Sequence, residues 1–530
     1  MTLEHVARCR HWAIRLTERA SVTGTSDEAS FGPWMADELR QAGTFGDTAE
    51  VWSFPVAAGD PRHCVALFLR GRGPETVLLT GHYDTVTTQD YGDLRELAIR
   101  PETLLEALRD RLYYAARTPA EILAKADFAK GDYLPGRGLL DMKAGLAAGL
   151  TVCEGFAAAA APVGNLLFLA VPDEENASAG ARAAAPALAH IAQKMQIEVV
   201  AAINLDAIAD NGDGTTGRAI ATGTVGKVLA TAFVVGVPTH SGFPLNGVNA
   251  AVLLAAICAR VEWSPELTDG TGGQPGTPPS LLSLRDGKAG YDVTTPATAF
   301  ATWNVILERR TPAEILNAFE DLCREAITDI LGQLSARIPE GVNLPKVPLF
   351  RFSEVLDLAK TREPQILDRL AGQADPGQPL PEKCRMATEV VWAASGLAGP
   401  AVVTGFGSIP YLATALSGAD RARRLRQAAV AAAQTAEVPV AISDYFVGIS
   451  DMSFFGEADP AALDIVAANT PLWETEVRWP ATGLPAAIPT INIGPWGRDY
   501  HTPLERLHTG YAFDILPQLL RDVVSRVLAG

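Results

Sequence analysis

The sequence has no cysteine pairing pattern. Cys9, Cys64, Cys153, Cys258, Cys323 and Cys384 are scattered through 530 residues, most of them within apolar helix or strand patterns. That argues against a disulfide framework and fits buried free thiols in a reducing cytosol. Basic charge is also short. Forty-four Lys and Arg against 61 Asp and Glu give a net charge of −17 and a pI near 5.0. Such a balance argues against a nucleic-acid partner and against an anionic membrane surface. Long apolar runs are missing as well. The longest, 156–171, is interrupted by Pro162, Gly164 and Asn165 and ends at charged residues. It reads as helix, turn and strand, with no membrane span required. Residues 1–20 are charged and amphipathic with no continuous apolar core. No signal peptide is apparent, and a cytoplasmic location is expected. There are no repeats and no low-complexity tract beyond alanine-rich helices. Two enzyme signatures fail on spacing. Gly405-Phe406-Gly407-Ser408 is out of register for a nucleophile elbow, and Gly223-Thr224-Val225-Gly226-Lys227-Val228 lacks the outer glycine and the Ser/Thr of a phosphate loop.

What the chain has is a repeated placement of acids and histidines directly after apolar runs. Pro172-Asp173-Glu174-Glu175-Asn176 follows the run 165–171, which reads as a buried strand, and precedes Ser178-Ala179-Gly180-Ala181, which reads as a helix opening. Adjacent carboxylates repel, and burying them is costly unless a cation compensates. At the carboxyl end of a strand they sit where α/β sheets bind ligands. Taken alone, a Glu-Glu pair is more often solvated surface. The segment 77–86 runs into His82-Tyr83-Asp84. Alternation puts His82 and Asp84 on one face if the strand persists, which suits an imidazole ligand held by a carboxylate. A loop histidine beside a solvated aspartate would read the same way. Asp141 follows two leucines and opens an alanine-rich helix over 142–160, where an N-cap is the ordinary reading. Asp206 ends an apolar strand and reads also as a turn aspartate. His501 follows a strand broken at Gly494-Pro495, just before a Pro-containing helix start. Strand ends therefore deliver His82, Asp141, Glu174, Glu175, Asp206 and His501 in turn. Two imidazoles and three of the four carboxylates suit a pair of zinc-like divalent ions sharing one carboxylate.

These segments resemble the co-catalytic zinc metallohydrolases that include aminoacylase, glutamate carboxypeptidase and succinyl-diaminopimelate desuccinylase. The similarity rests on Gly81-His82-Tyr83-Asp84, Gly138-Leu139-Leu140-Asp141-Met142-Lys143-Ala144-Gly145, Asp173-Glu174-Glu175, Asp206 and His501-Thr502-Pro503-Leu504-Glu505. Thr239-His240-Ser241-Gly242-Phe243-Pro244, with Gly247-Val248-Asn249-Ala250 after it, resembles the signature of the family's lid domain. The matches run in family order over nearly the whole chain. Carried over residue by residue, the resemblance implies that His82, Glu175, Asp206 and His501 are metal ligands and that Asp141 bridges. It implies Glu174 as general base and Asp84 as the residue that orients His82. It further implies two divalent ions, zinc or in its place cobalt or manganese, and a cis peptide after Asp141. In relatives the equivalent of His240 reaches the scissile group, sometimes from a second subunit, so a homodimer is an open expectation. Two departures stand out: a polar, helical insertion at 89–132, and a long segment at 338–487 containing the unusual stretch 443–455. This pattern is most similar to the arginine-utilisation (RocB-type) branch.

Strand and helix alternate up to Asp206, which predicts an α/β fold with a mostly parallel sheet and helices on both faces, zinc-exopeptidase-like by the resemblance. From about residue 222 the order changes to strand 228–237, helix 249–261, strands 281–284 and 302–307, and helix 312–334. That predicts an inserted α+β lid domain. The expected boundaries are 1–214 and 338–530 for the catalytic domain and 215–337 for the lid, with crossings near 211–214 and 335–341. Asn249, at the start of a lid helix, and Arg498, near His501, are candidates to hold a substrate carboxylate. His5, His11, His63, His190 and His508 read as surface or packing residues. The expected activity is metal-dependent hydrolysis of an amide bond in a small peptide or N-acyl amino acid, through a metal-activated water with Glu174 as base. The alternative is a non-catalytic protein that keeps the fold to bind an amino acid or peptide. Loss of Glu174 or of a ligand would favour it, yet every position is filled.

Overall fold

The computed structural model describes residues 3–210, 217–270, 276–339, 342–373, 377–446, 448–459, 461–477 and 488–530. The expected crossing at 211–214 lies outside the described residues, as do 340 and 341 of the second crossing. The chain divides into two units. The first comprises Met1–Thr224, Thr414–Ala458 and Pro480–Gly530, the second Val225–Ala413 and Asp459–Trp479.

The first unit is built on an eight-stranded sheet in the order Glu50–Pro55, His63–Leu69, Val163–Val171, Arg72–His82, Glu198–Asn204, Thr490–Asn492, Ala219–Ala221, Ala441–Ser443. The four strands from Val163–Val171 to Thr490–Asn492 run parallel, and antiparallel pairings lie outside them. Strands buried on both faces explain the near-continuous apolar runs at 65–69, 77–79 and 166–171. On one face Val65, Leu67, Val77, Leu79, Leu166, Phe168 and Ile203 share a core with residues of the helices Leu3–Thr17, Ser26–Gln41, Ala144–Ala157, Asp420–Thr435 and Leu516–Ala529. On the other, the helix Ala179–Met195 packs against the strands, and Cys64 Sγ lies 3.5 Å from Gly180 O. All six cysteines are free and buried. Among the described residues no helix is long and apolar enough to cross a membrane.

A small four-stranded sheet, Tyr133–Pro135, Arg506–His508, Trp496–Arg498, Ile208–Ala209, belongs to the same unit. The insertion folds as a 3-10 segment Gln89–Leu97 and two helices, Pro101–Ala115 and Pro119–Lys130, around Tyr91, Leu104, Leu108, Leu112 and Phe128. Its second helix opens with Thr118 and Glu121 in a reciprocal capping box, with Pro119 in the first turn where no backbone donor is needed.

The second unit holds a five-stranded sheet in the order Ser280–Asp286, Thr298–Leu307, Gly226–Val235, Ala401–Phe406, Leu349–Arg351, antiparallel except for the last pair. The helices Ala250–Val261 and Pro312–Ser335 cover one face. This corrects the expected boundary at 338. The strand Ala401–Phe406 pairs with Gly226–Val235, and Phe352, Val355, Val391 and Trp392 bury the opposite face with Phe233 and Val403. Residues 338–413 thus give the sheet a second helical layer and two more strands, where a resumed catalytic domain was expected. A further segment, Asp459–Trp479, joins the same unit.

Backbone proximity in the first unit is set by glycine. A Cβ on Gly145 would stand 2.0 Å from Leu205 O, so the helix Ala144–Ala157 rests on the strand end before Asp206 only because that side chain is absent. Gly145→Ala is therefore expected to destabilise the first unit by about 1–3 kcal/mol, the usual range for overpacking. Urea unfolding followed by tryptophan fluorescence checks it; an unchanged midpoint would refute the close approach.

Candidate metal centre

Three adjacent parallel strands end level with one another. His82 stands beside Val171, and Thr80 beside Asn204. The residues just past those ends, Asp84, Glu174, Glu175 and Asp206, therefore arrive at one edge of the sheet. Asp141 enters from the segment ahead of the helix Ala144–Ala157, and its peptide bond to Met142 is cis, as the resemblance implies. Gly81 leaves room for this segment: a Cβ there would stand 2.0 Å from Met142 Cε. His501 lies in the turn between Trp496–Arg498 and Arg506–His508, with a positive φ of 61°.

Two triads result. His82, Asp141 and Asp206 offer ligand atoms within 4.8 Å of one another, and so do Asp141, Glu175 and His501. Asp141 belongs to both. Its Oδ1 is 3.1 Å from His82 Nε2 and its Oδ2 is 3.2 Å from His501 Nε2. Glu175 Oε1 is 3.1 Å from His501 Nε2, and Asp206 Oδ1 is 3.8 Å from His82 Nε2. Glu174 Oε2 stands 3.9 Å from the same His82 nitrogen. The other His82 ring nitrogen faces Asp84, 3.1 Å from its carbonyl and 3.6 Å from its carboxylate.

Asp84 does more than face that ring. Its two carboxylate oxygens accept from the backbone N–H groups of Glu174 and Glu175 at 3.1 and 3.2 Å, and Thr23 Oγ1 donates to it at 2.8 Å. One buried carboxylate thus holds the turn that carries both glutamates. Asp173 shapes the same turn: it takes a positive φ of 70°, accepts from Ala179 N at 3.1 Å and pairs with Arg62. On the Asp206 side, Asn492 acts as a surrogate strand. Its Oδ1 accepts from Asp206 N at 3.1 Å, and its Nδ2 donates to Asp206 O at 2.8 Å.

The charges are unbalanced. Among the described residues, the ion-pair partners of Asp141, Glu174, Glu175 and Asp206 are His82 and His501. Burial pushes the Glu174 carboxyl well above the usual range, with nearby His82 only partly opposing. Burial likewise raises Glu175 and Asp206. Burial would raise Asp141 too, but hydrogen bonds with His501 and His82 outweigh it and hold it low. His82 is raised despite burial, by Asp141, Asp206 and Asp84. His501 is pushed up to about 10, burial being outweighed by Asp141 and Glu175. Oxygen and imidazole donors in two clusters, with their negative charge only partly compensated by the two imidazoles, fit divalent cations of the zinc type.

A family model described as Peptidase family M20/M25/M40 matches residues 119–471, more than half of the chain. The chain belongs to this family. The uncharacterized protein YqjN of Bacillus subtilis (strain 168) is 28% identical over 532 residues, covering 97% of this chain and 95% of its own. Protein RocB of the same organism is 28% identical over 539 residues, covering 97% and 94%. Among solved structures, a tripeptidase from Staphylococcus aureus superposes with a TM-score of 0.54 at 15% identity, covering 99% of each chain. Family membership makes metal-dependent peptide or amide hydrolysis the coarse assignment.

Seven of the sequence candidates converge: His82, Asp84, Asp141, Glu174, Glu175, Asp206 and His501. His240 and Asn249 lie in the second unit. His240 is exposed, and its Nδ1 accepts from Gly242 N at 3.0 Å; Asn249 caps the helix Ala250–Val261 by accepting from Ala251 N at 3.0 Å. Arg498 is a correction. Its guanidinium donates to Asp127 at 2.6 Å and Asp210 at 2.9 Å and lies over the Tyr133 ring, so it is spent inside the protein and does not hold a substrate carboxylate. Sequence reasoning missed the supports. Glu505 carried a usable signal, four residues past His501 in the same motif; it is fully buried and accepts from Arg137 Nη1 at 2.7 Å and Gly138 N at 2.9 Å. Asn492, an ordinary strand residue, carried none.

Raised acids and raised histidines act in the same direction on the metal-free protein. For each, the native state binds more protons than the unfolded chain above the group's ordinary pKa, near 4 to 4.5 for the acids and 6.5 for the imidazoles. Stability must then fall as pH rises. Metal-free protein is expected to lose thermal stability from pH 5 to pH 8, and the rise in melting temperature on adding zinc to grow over that range. Thermal scans at matched ionic strength check it; a zinc-induced shift that shrinks toward pH 8 would contradict the site.

Proposed function

We propose that this chain is a dinuclear metal-dependent hydrolase cleaving an amide bond in a small peptide or N-acyl amino acid. The observation that carries the reading is the pair of triads sharing Asp141, with Glu174 beside them and outside both sets. His82, Asp141 and Asp206 would hold one ion, and Asp141, Glu175 and His501 the other, zinc being the expected metal with cobalt or manganese as substitutes. Bound there, such ions supply Lewis acidity that polarises a carbonyl and makes a water acidic near neutral pH.

The protein's own groups do the rest. Glu174 removes the attacking water's proton and returns it to the leaving amine. Its buried carboxyl, raised by burial, suits that exchange because the shift makes it a stronger proton acceptor than a solvated glutamate. Asp84 fixes where that carboxyl can reach by holding its backbone, and fixes the Glu175 backbone by the same contact. His240 would donate a hydrogen bond to the developing oxyanion, and Asn249 would help hold a substrate carboxylate. Family membership and the fold likeness to a tripeptidase support peptides or their N-acyl analogues as the substrate class. Six buried free thiols support a reducing compartment such as the cytoplasm.

Glu174→Gln should keep both ions and the melting temperature while lowering kcat by roughly two to four orders of magnitude. Glu175→Gln should weaken metal binding because it removes a ligand charge. Metal analysis after gel filtration, beside amine release from a pooled dipeptide and N-acyl amino acid library, separates the two. Equal metal loss in both variants would overturn the division of labour.

His240→Ala should lower kcat by about 100-fold or more, the size of a lost oxyanion donor, with metal content unchanged. Full activity of this variant on a good substrate would remove His240 from the mechanism.

A further inference from the structure

The insertion 89–132 is joined to the metal-bearing segments by buried charge. Asp127, on the insertion's second helix, is fully buried. Its Oδ2 accepts from Arg506 Nε at 2.9 Å and from Arg498 Nη1 at 2.6 Å. Arg506 is itself fully buried. It donates to the Asp499 carboxylate, at the start of the His501 turn, and to Leu504 O at 3.0 Å, at its end. One guanidinium therefore ties together both ends of that turn. The turn needs tying, because Asp499 and His501 both take positive φ values, 56° and 61°, a region non-glycine residues seldom occupy unless their surroundings hold them. A second link runs the same way. Asp90 of the insertion pairs with Arg137 at 2.6 Å, and Arg137 pairs with Glu505 at 2.7 Å.

We propose that the insertion is a positioning element of the metal centre, with Asp127 acting through Arg506 to hold His501 against Asp141 and Glu175. This rests on the two-ion reading of the preceding section. Asp127 touches no ligand. It neutralises a buried arginine whose planar fork reaches three acceptors at once, a task a lysine would not perform. Without that charge Arg506 keeps one carboxylate partner, Asp499, where it had two, and its fork, no longer held from the insertion, shifts and releases the fixed span between Asp499 and Leu504. His501 then leaves its triad, while His82 and Asp206, at the sheet ends, stay in place and Asp141 keeps its contact with His82. The effect falls on one ion of two.

Zinc titration of the full chain against a chromogenic chelator tests this. Wild type is expected to take two ions. Asp127→Asn should keep one at unchanged affinity and bind the second about 10–100-fold more weakly, the range seen when an outer partner of a ligand is lost. Asp93→Ala, an exposed change in the same insertion, should leave both affinities alone. Should Asp127→Asn fail to fold, Arg506→Lys is read the same way, since it keeps the charge and loses the fork. Two ions bound at wild-type affinity in the variants would overturn the proposal while leaving the dinuclear hydrolase standing. Parallel weakening of both ions would overturn it too, showing loosening of the whole unit. A wild-type chain that binds no ions would overturn the functional reading itself, and this inference with it.

Discussion

Everything at the metal centre depends on one carboxylate facing two imidazoles. Asp141 uses one oxygen toward His82 and the other toward His501, so its position is fixed from two directions that originate far apart in the chain. His82 is anchored by a central strand. His501 hangs on a turn with an unfavourable backbone. The surrounding acids then exceed the positive charge the protein supplies, a state that burial makes costly. The fold around it consists largely of ways to keep those groups in place until cations arrive: Asp84 beneath the two glutamates, Asn492 against Asp206, and close-packed glycines beneath Asp141.

Much of this was legible in the sequence, for a local reason. A central parallel strand is apolar on both faces, so its end shows as an abrupt change to polar residues. His82, Glu174 and Asp206 sit at such changes, and the alternation of strand and helix gave the sheet that lines them up. Role assignment needed more than pattern: Asp141 reads as a helix cap, His501 as a loop residue, and only similarity to relatives separated them from those readings. The boundary at 338 failed because the strand Ala401–Phe406 looks like any buried strand. Which sheet it joins is decided by pairing with Gly226–Val235, far away in sequence. Arg498 failed differently. Nearness to His501 suggested access to substrate, but two buried aspartates, Asp127 and Asp210, claim its guanidinium. Long-range charge pairing leaves no periodic trace.

The two units also differ in how they use charge. The second unit is stitched by arginine-carboxylate contacts such as Arg351 with Glu320 at 2.7 Å and by short caps such as Thr311 with Glu314. These are ordinary structural pairs in which opposite charges cancel. In the first unit like charges are gathered and held. Such a concentration of buried acids is a common sign of a functional site, and it lies in the first unit.

The order of strands in the large sheet sets how far along the chain the centre's parts are drawn from. Thr490–Asn492 lies between Glu198–Asn204 and Ala219–Ala221, so this strand is inserted between two that precede it by more than 260 residues. During synthesis the nascent chain carries His82, Asp141, Glu174, Glu175 and Asp206 for nearly three hundred residues before His501 exists. Through that interval the first triad is the only one that can form, and the slot beside Asn204 is an exposed strand edge. The two triads therefore differ in reach along the chain: His82, Asp141 and Asp206 all precede residue 207, whereas the triad of Asp141, Glu175 and His501 is complete only across about 360 residues of sequence.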